Sequence, residues 1–144
     1  MTMELLTAIR ATWDRWRAPR PLGEQGEAVA ARFLRRIGYK IVARGHRDRI
    51  GEIDLVAVDD RTVVFVEVKT RRGASAGHPA EAVDAEKQRR LSRAALGFLR
   101  RHDLLEHAAR FDVIAVVWPE KKGQPVIEHF QNAFPAVGSW QMFR

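Results

Sequence analysis

The stretch GEIDLVAVDDRTVVFVEVKT, residues 51–70, holds two apolar runs interrupted by charge: Asp54 in the first, Glu67 and Lys69 near the end of the second. Side chains alternate across a strand, so Glu67 and Lys69 share a face. A two-residue loop at Asp60-Arg61, or a four-residue loop at 59–62, gives one pairing, with Val58 opposite Val63 and Asp54 opposite Glu67. Their β-carbons then lie about 4.5–5.5 Å apart. A slip of one residue would set Asp54 against Val66, among apolar neighbours. Two carboxylates opposed in an apolar sheet repel, so one must hold a proton or a cation must sit between them. Hard divalent cations such as magnesium select carboxylate oxygens, often one or two plus substrate phosphates. Lys69 stands beside the pair, where it can neutralise charge or hold a water. A buried Lys69 salt bridge to Glu67 or Asp54 is the competing structural reading, and it leaves one carboxylate over.

The elements that must position these groups follow from periodicity. Residues 22–37 form a helix with Ala30, Phe33, Leu34 and Ile37 inward and Gly38 at its end. Glu27 lies on that inward side, three before Ala30 and seven before Leu34, with Glu24 one turn earlier. Gly23 and Gly26 are poor helix formers that let another backbone approach. Residues 39–44, 51–58, 62–69, 111–118 and 125–131 read as strands, the last near an edge. Val64, Val66 and Val68 on one face and Val63 and Phe65 on the other make 62–69 a central strand. RRGASAGH, 71–78, is a basic loop. Residues 79–101 form a long helix with Leu91, Ala94, Ala95, Phe98 and Leu99 inward, and Lys87 one turn before Leu91 reaches toward the same end of the sheet. The order is α-β-β-β-α-β-β. A strand, a crossover helix and an apolar strand imply a parallel pair, hence a mixed sheet. Ahead of this domain, 22–144, residues 1–21 form a helical extension: Leu5, Ile9, Trp13 and Trp16 recur at helical spacing until Pro19 and Pro21.

Composition narrows the partners. The 144-residue chain is 46% hydrophobic, enough for one core, and has no cysteine, which excludes disulfides and zinc–thiolate sites. No apolar run approaches the roughly 18 residues of a membrane helix, and no secretory signal is visible, so a cytoplasmic protein is expected. Net charge is +7. Residues 32–49 carry seven basic side chains against Asp48, and 87–101 carry six with no acid. The two stretches sum to +12, so the remainder is −5. Such concentration points to a polyanion, nucleic acid first. The competing motifs are thin. Lys69-Thr70 ends like a P-loop without its glycines, and His102 and His107 suit surface positions. His129 reads as a packed edge residue or a substrate contact.

An acid, a spacer and Glu-x-Lys resemble the PD-(D/E)XK nuclease superfamily. The segments GEQGEAVAARFLRRIGYKIVAR, GEIDLVAVDDRTVVFVEVKTRR, EAVDAEKQRRLSRAA, RFDVIAV and IEHFQNAF together resemble the YraN-like family, small bacterial proteins related to Holliday-junction resolvases. The resemblance covers roughly residues 22–134. It implies a restriction-endonuclease-like three-layer α/β/α core and a metal-dependent endonuclease acting on DNA, selective for branched or single-stranded structure over sequence. By the same resemblance Glu27, Asp54, Glu67 and Lys69 are the catalytic set. Asp54 and Glu67 with the carbonyl of Val68, and Glu27 for a second metal or its water, would hold Mg2+ or Mn2+. Lys87 matches a recurring lysine of the family. Arg44, Arg47, Arg49, Arg71, Arg72, Lys87 and Arg90 are the expected phosphate contacts. Where the family usually has asparagine and an aromatic before Arg47, this chain has Gly45 and His46. The partners expected are DNA, a second copy of the chain, and a protein docking on the N-terminal helix. A non-catalytic nucleic-acid-binding module of the same fold, working with a DNA-processing partner, is the alternative. A third reading is an interaction subunit docking through Trp13 and Trp16.

Overall fold

The computed structural model describes residues 21–73 and 83–137. The helix expected over 4–17, with Trp13 and Trp16, lies outside them, as do residues 74–78 of the expected loop. The elements are α1 (Leu22–Arg36), β1 (Lys40–Arg47), β2 (Glu52–Asp59), β3 (Thr62–Arg72), α2 (Ala85–Arg101), β4 (Ala109–Trp118) and β5 (Val126–Phe134). This is the α-β-β-β-α-β-β order read from the sequence. The strands stand in sequence order in a single five-stranded sheet. β3 and β4 run parallel, and every other neighbour pair is antiparallel. α2 supplies the crossover that joins the parallel pair.

Each helix covers one face of the sheet. Leu91, Ala94, Ala95, Phe98 and Leu99 of α2 pack with Val56, Val63, Phe65, Phe111 and Val113. Ala30, Ala31 and Leu34 of α1 pack with Leu55, Ala57, Val64, Val66, Ile114 and Val116. β3 is therefore buried on both faces, as its doubly apolar sequence requires. Three expectations need correction. Ile37 is 45% exposed, because α1 ends at Arg36 before its last turn reaches the core. β3 runs on to Arg72, so Arg71 and Arg72 belong to the strand. Of the long helix expected over 79–101, residues 79–82 lie outside the described residues, Val83 and Asp84 are not helical, and the helix starts at Ala85, where the Asp84 carboxylate caps it by accepting from the N–H of Lys87 at 2.8 Å.

Two glycines set how the elements meet. At Gly26 a β-carbon would fall 1.9 Å from the Thr70 hydroxyl, so only glycine lets α1 press this closely on β3. Gly23 meets nothing within 4 Å and has no such role. Gly45 has φ +57°. It falls between the pairs Arg44↔Leu55 and His46↔Ile53, opposite Asp54. Beside it β2 departs from strict alternation: Leu55 joins the α1-side core, while Ile53 and Val56 both join the α2-side core. The asparagine expected there from the family resemblance shares glycine's tolerance of positive φ. Gly45→Val should therefore lower stability by about 1–2 kcal/mol in urea unfolding, and Gly45→Asn by clearly less. Equal losses for both would contradict a conformational role, since a β-carbon at this position meets no neighbour within 4 Å.

Candidate active site

The β2–β3 hairpin turns on two residues, Asp60-Arg61, with Asp59 paired to Thr62 and Asp60 at φ 54°. The register runs Val58↔Val63 and Ala57↔Val64 to Leu55↔Val66. One step further would be Asp54 and Glu67, the pairing read from the sequence. There the backbone ladder gives way to a side chain: Asp54 Oδ2 accepts the N–H of Val68 at 2.9 Å. Asp54 is thus tied into the gap where β2 and β3 part. The N–H and C=O of one strand residue leave along the same edge, so the Val68 carbonyl faces β2 as well.

Groups from both helix layers meet at this gap. Glu67 is 6% exposed and shares a face with Phe65 and Val113, on the α2 side. Lys87, set in the first turn of α2 by the Asp84 cap, brings Nζ to 2.5 Å from Glu67 Oε1. Lys69 Nζ lies 3.4 Å from the same oxygen. Glu27, half-buried on α1, approaches Asp54 from the other face, close enough for the two carboxyls to share a hydrogen bond. Glu24 stays exposed. A cavity of about 250 Å³ opens onto the cluster, lined by Ile50, Gly51, Glu52, Asp54, Glu67, Lys87, Arg90 and Leu91.

The electrostatics follow from this crowding. Burial, then the facing Glu67 charge, raise Asp54 to about 8 and outweigh the Val68 N–H that favours the anion. Burial, then Glu52, raise Glu27. Lys69 is lowered, first by burial and then by Lys87. For Lys87 burial pulls down, but the hydrogen bond to Glu67 outweighs it and the net shift is upward. At neutral pH Asp54 is therefore protonated, and ammonium groups balance the charge of Glu67. Among the described residues no three carboxylate or histidine side chains encircle a point as a closed metal cage would require. The donors present are the carboxylates of Asp54, Glu67 and Glu27 and the carbonyl of Val68. Hard oxygens held together by a proton and ammonium groups fit a hard divalent ion that would replace those charges, with substrate and water filling the remaining positions.

Of the expected phosphate contacts, Arg90 lines the cavity, and Arg44, Arg49, Arg71 and Arg72 are exposed. Arg47 is exposed too but paired with Glu52 at 3.1 Å, and Lys87 is engaged by Glu67. Sequence reasoning missed a second polar cluster, on the α1 face. Buried Asp112 accepts from Arg110 Nε at 3.0 Å and from the N–H of Asn132 at 2.9 Å, and it holds His129 Nε2 at 2.8 Å. Arg110 also donates to the Tyr39 hydroxyl and to Asp59. The signal was available: Arg110 and Asp112 stand two apart in an apolar strand, as Glu67 and Lys69 do. Asp112 is fully paired and held low, since the His129 and Arg110 hydrogen bonds outweigh its burial. This cluster ties β4 to β2, to β5 and to Tyr39 just ahead of β1, and His129 is a packed edge residue in it.

A family model described as Uncharacterised protein family UPF0102 matches residues 26–116. A UPF0102 protein of Rhodopirellula baltica is 50% identical over 120 residues, 81% of this chain and 72% of the relative. One from Geotalea daltonii is 49% identical over 113 residues, 78% of this chain and 88% of the relative. One from Geobacter sulfurreducens is 51% identical over 113 residues, with the same coverage. The matched span contains Glu27, Asp54, Glu67, Lys69 and Lys87.

A carboxyl raised from 3.8 to about 8 binds its proton more tightly in the folded chain. The stability it contributes is present below the ordinary carboxylate range and is lost as pH rises toward 8. Urea unfolding in EDTA should therefore show Asp54→Asn, which mimics the protonated form, gaining at least about 1 kcal/mol on the wild type between pH 5 and pH 8. A difference that stays constant with pH would contradict the protonation.

Proposed function

The chain belongs to the UPF0102 (YraN-like) family, and from that premise we propose that it is a divalent-metal-dependent endonuclease that hydrolyses phosphodiester bonds in DNA. One observation carries the reading: Asp54 and Glu67, with two lysine ammonium groups beside them, meet at a cavity that Arg90 also lines. Asp54 and Glu67, with the Val68 carbonyl, would hold the ion, and Glu27 a second ion or its water. When bound, magnesium supplies Lewis acidity toward a phosphate oxygen and a more acidic water.

The chain's own residues do the rest. On taking up such an ion Asp54 would give up its proton and Glu67 would exchange its contact with Lys87, so binding would release a proton. Lys87 would then be free to meet a phosphate oxygen. Lys69, whose ammonium form burial disfavours, would position the attacking water or, once it has lost its own proton to solvent, take the proton of that water. The water oxygen would bond to phosphorus as its proton passes to deprotonated Lys69 or to solvent, the bond to the leaving oxygen would break, and that oxygen would gain a proton from solvent. Arg90, Arg49 and Arg44 grip the sugar–phosphate backbone without reading bases. The sequence carries nothing that resembles a base-reading helix, and with phosphate-gripping arginines this favours branched or single-stranded DNA over a defined duplex sequence.

A non-catalytic nucleic-acid-binding module is the second reading. The observation favouring it is the charge balance already reached by the Asp54 proton and the two lysines. Purified full-length protein incubated with branched, single-stranded and duplex DNA, in magnesium, manganese or EDTA, separates the two. An enzyme cuts only with metal, and Glu67→Ala and Lys69→Ala each lower the rate at least about a hundredfold. Binding without cutting, unchanged in those variants, would overturn the proposal in favour of the module.

A further inference from the structure

The loop that forms the cavity rim is folded around a carboxylate outside the proposed catalytic set. Asp48 Oδ1 accepts the N–H of Ile50 at 2.8 Å and of Gly51 at 3.0 Å. The Asp48 N–H returns to the Gly51 carbonyl at 3.0 Å. Ile50 and Gly51 line the cavity that Asp54 and Glu67 share. The other carboxylate oxygen, Oδ2, is buried and lacks a hydrogen-bond partner among the described residues. It faces a second buried atom in the same condition, His46 Nε2, at 3.8 Å. That distance is too long for a hydrogen bond and short enough to become one by a shift of about 1 Å. The side chains of His46 and Asp48 are 16% and 8% exposed. The His46 ring rests edge-on against Phe98 of α2, 5.2 Å between centroids. Asp48 is ionised: burial works against the charge, yet the Ile50 and Gly51 N–H groups, with His46 and Arg101, outweigh it and hold the carboxyl below its ordinary range.

We propose that His46 and Asp48 form a latch that positions the cavity rim. When His46 is protonated, its Nε2–H closes onto Asp48 Oδ2 and fixes the Asp48–Gly51 loop against α2. When His46 is neutral that attraction weakens, and the loop is held by Oδ1 alone. The other charged and titratable groups facing the pair are Arg101 and His102, both on α2, with His102 packed on Phe98 at 4.3 Å. In this latch His46 and Asp48 act on the cavity through the backbone of Ile50 and Gly51. Any effect on cutting rests on the nuclease reading, whereas the coupling between His46 and the loop does not.

NMR of the full chain across a pH series, in the absence of DNA, tests the latch. In the wild type the amide signals of Ile50 and Gly51 should move in one transition with the imidazole signals of His46. In His46→Gln those amides should lose that transition. In Asp48→Asn the imidazole should still titrate without the amides following. Amides that stay still while His46 titrates, or that move unchanged in His46→Gln, overturn the latch, and the His46→Gln comparison decides if Asp48→Asn does not fold. In a cleavage assay the rates of wild type and His46→Gln should differ about tenfold where His46 is protonated and converge where it is neutral. A wild type that cuts no DNA would fail the nuclease reading, while the spectra would still decide the latch.

Discussion

Two carboxylates stand across from each other where β2 and β3 part, and the structure around them is arranged to tolerate that opposition. Asp54 and Glu67 occupy neighbouring strands of a sheet whose other central positions are apolar. In such surroundings their repulsion is poorly screened. The chain answers it in three ways. Asp54 keeps a proton at neutral pH and turns one oxygen to the Val68 N–H. Glu67 takes two ammonium groups, one from its own strand and one from α2. The ladder itself opens, so both carboxyls face a cavity instead of closed core.

That answer draws on every layer of the fold. α1 brings Glu27 to Asp54 because Gly26 lets the helix lie directly against Thr70. α2 brings Lys87 to Glu67 because Asp84 fixes where the helix starts. β1 contributes Gly45, whose positive φ sits opposite Asp54 where β2 leaves its regular alternation. The second polar cluster, around Asp112, ties three strands and Tyr39 together away from this gap and leaves the apolar faces to the helices. A site so costly in desolvation is a poor means of adding stability. The proposed divalent ion would take over the charges that the Asp54 proton and the two lysines now balance.

Much of this was legible in the residues, for identifiable reasons. The turn at Asp60-Arg61 fixed the hairpin register, and period-two alternation then set Asp54 toward Glu67. The inward stripe of α2 placed Lys87 at the same end of the sheet. Where reasoning failed, it assumed regularity. Strict alternation cannot foresee that Ile53 and Leu55 pack on opposite faces, because the irregularity beside them depends on a backbone dihedral at Gly45. The start of α2 was set too early, although Asp84 followed by Ala85-Glu86 is a capping signal. Ile37 was placed in the core by periodicity continued past the helix end. The Arg110–Asp112 pair obeys the same rule as Glu67 and Lys69, two charges two apart on one face of an apolar strand. His46 stands out in the sequence as a departure from the family pattern and Asp48 as the one acid of a basic stretch, but their meeting depends on the fold of a four-residue loop.

The central claim is that the Asp54 carboxyl keeps its proton at neutral pH because it is buried against Glu67. A carbon-13 NMR titration of the Asp54 carboxyl, in protein stripped of metal by EDTA, tests this most directly. The account predicts a midpoint near pH 8. A midpoint in the ordinary carboxylate range, near pH 4, would contradict it.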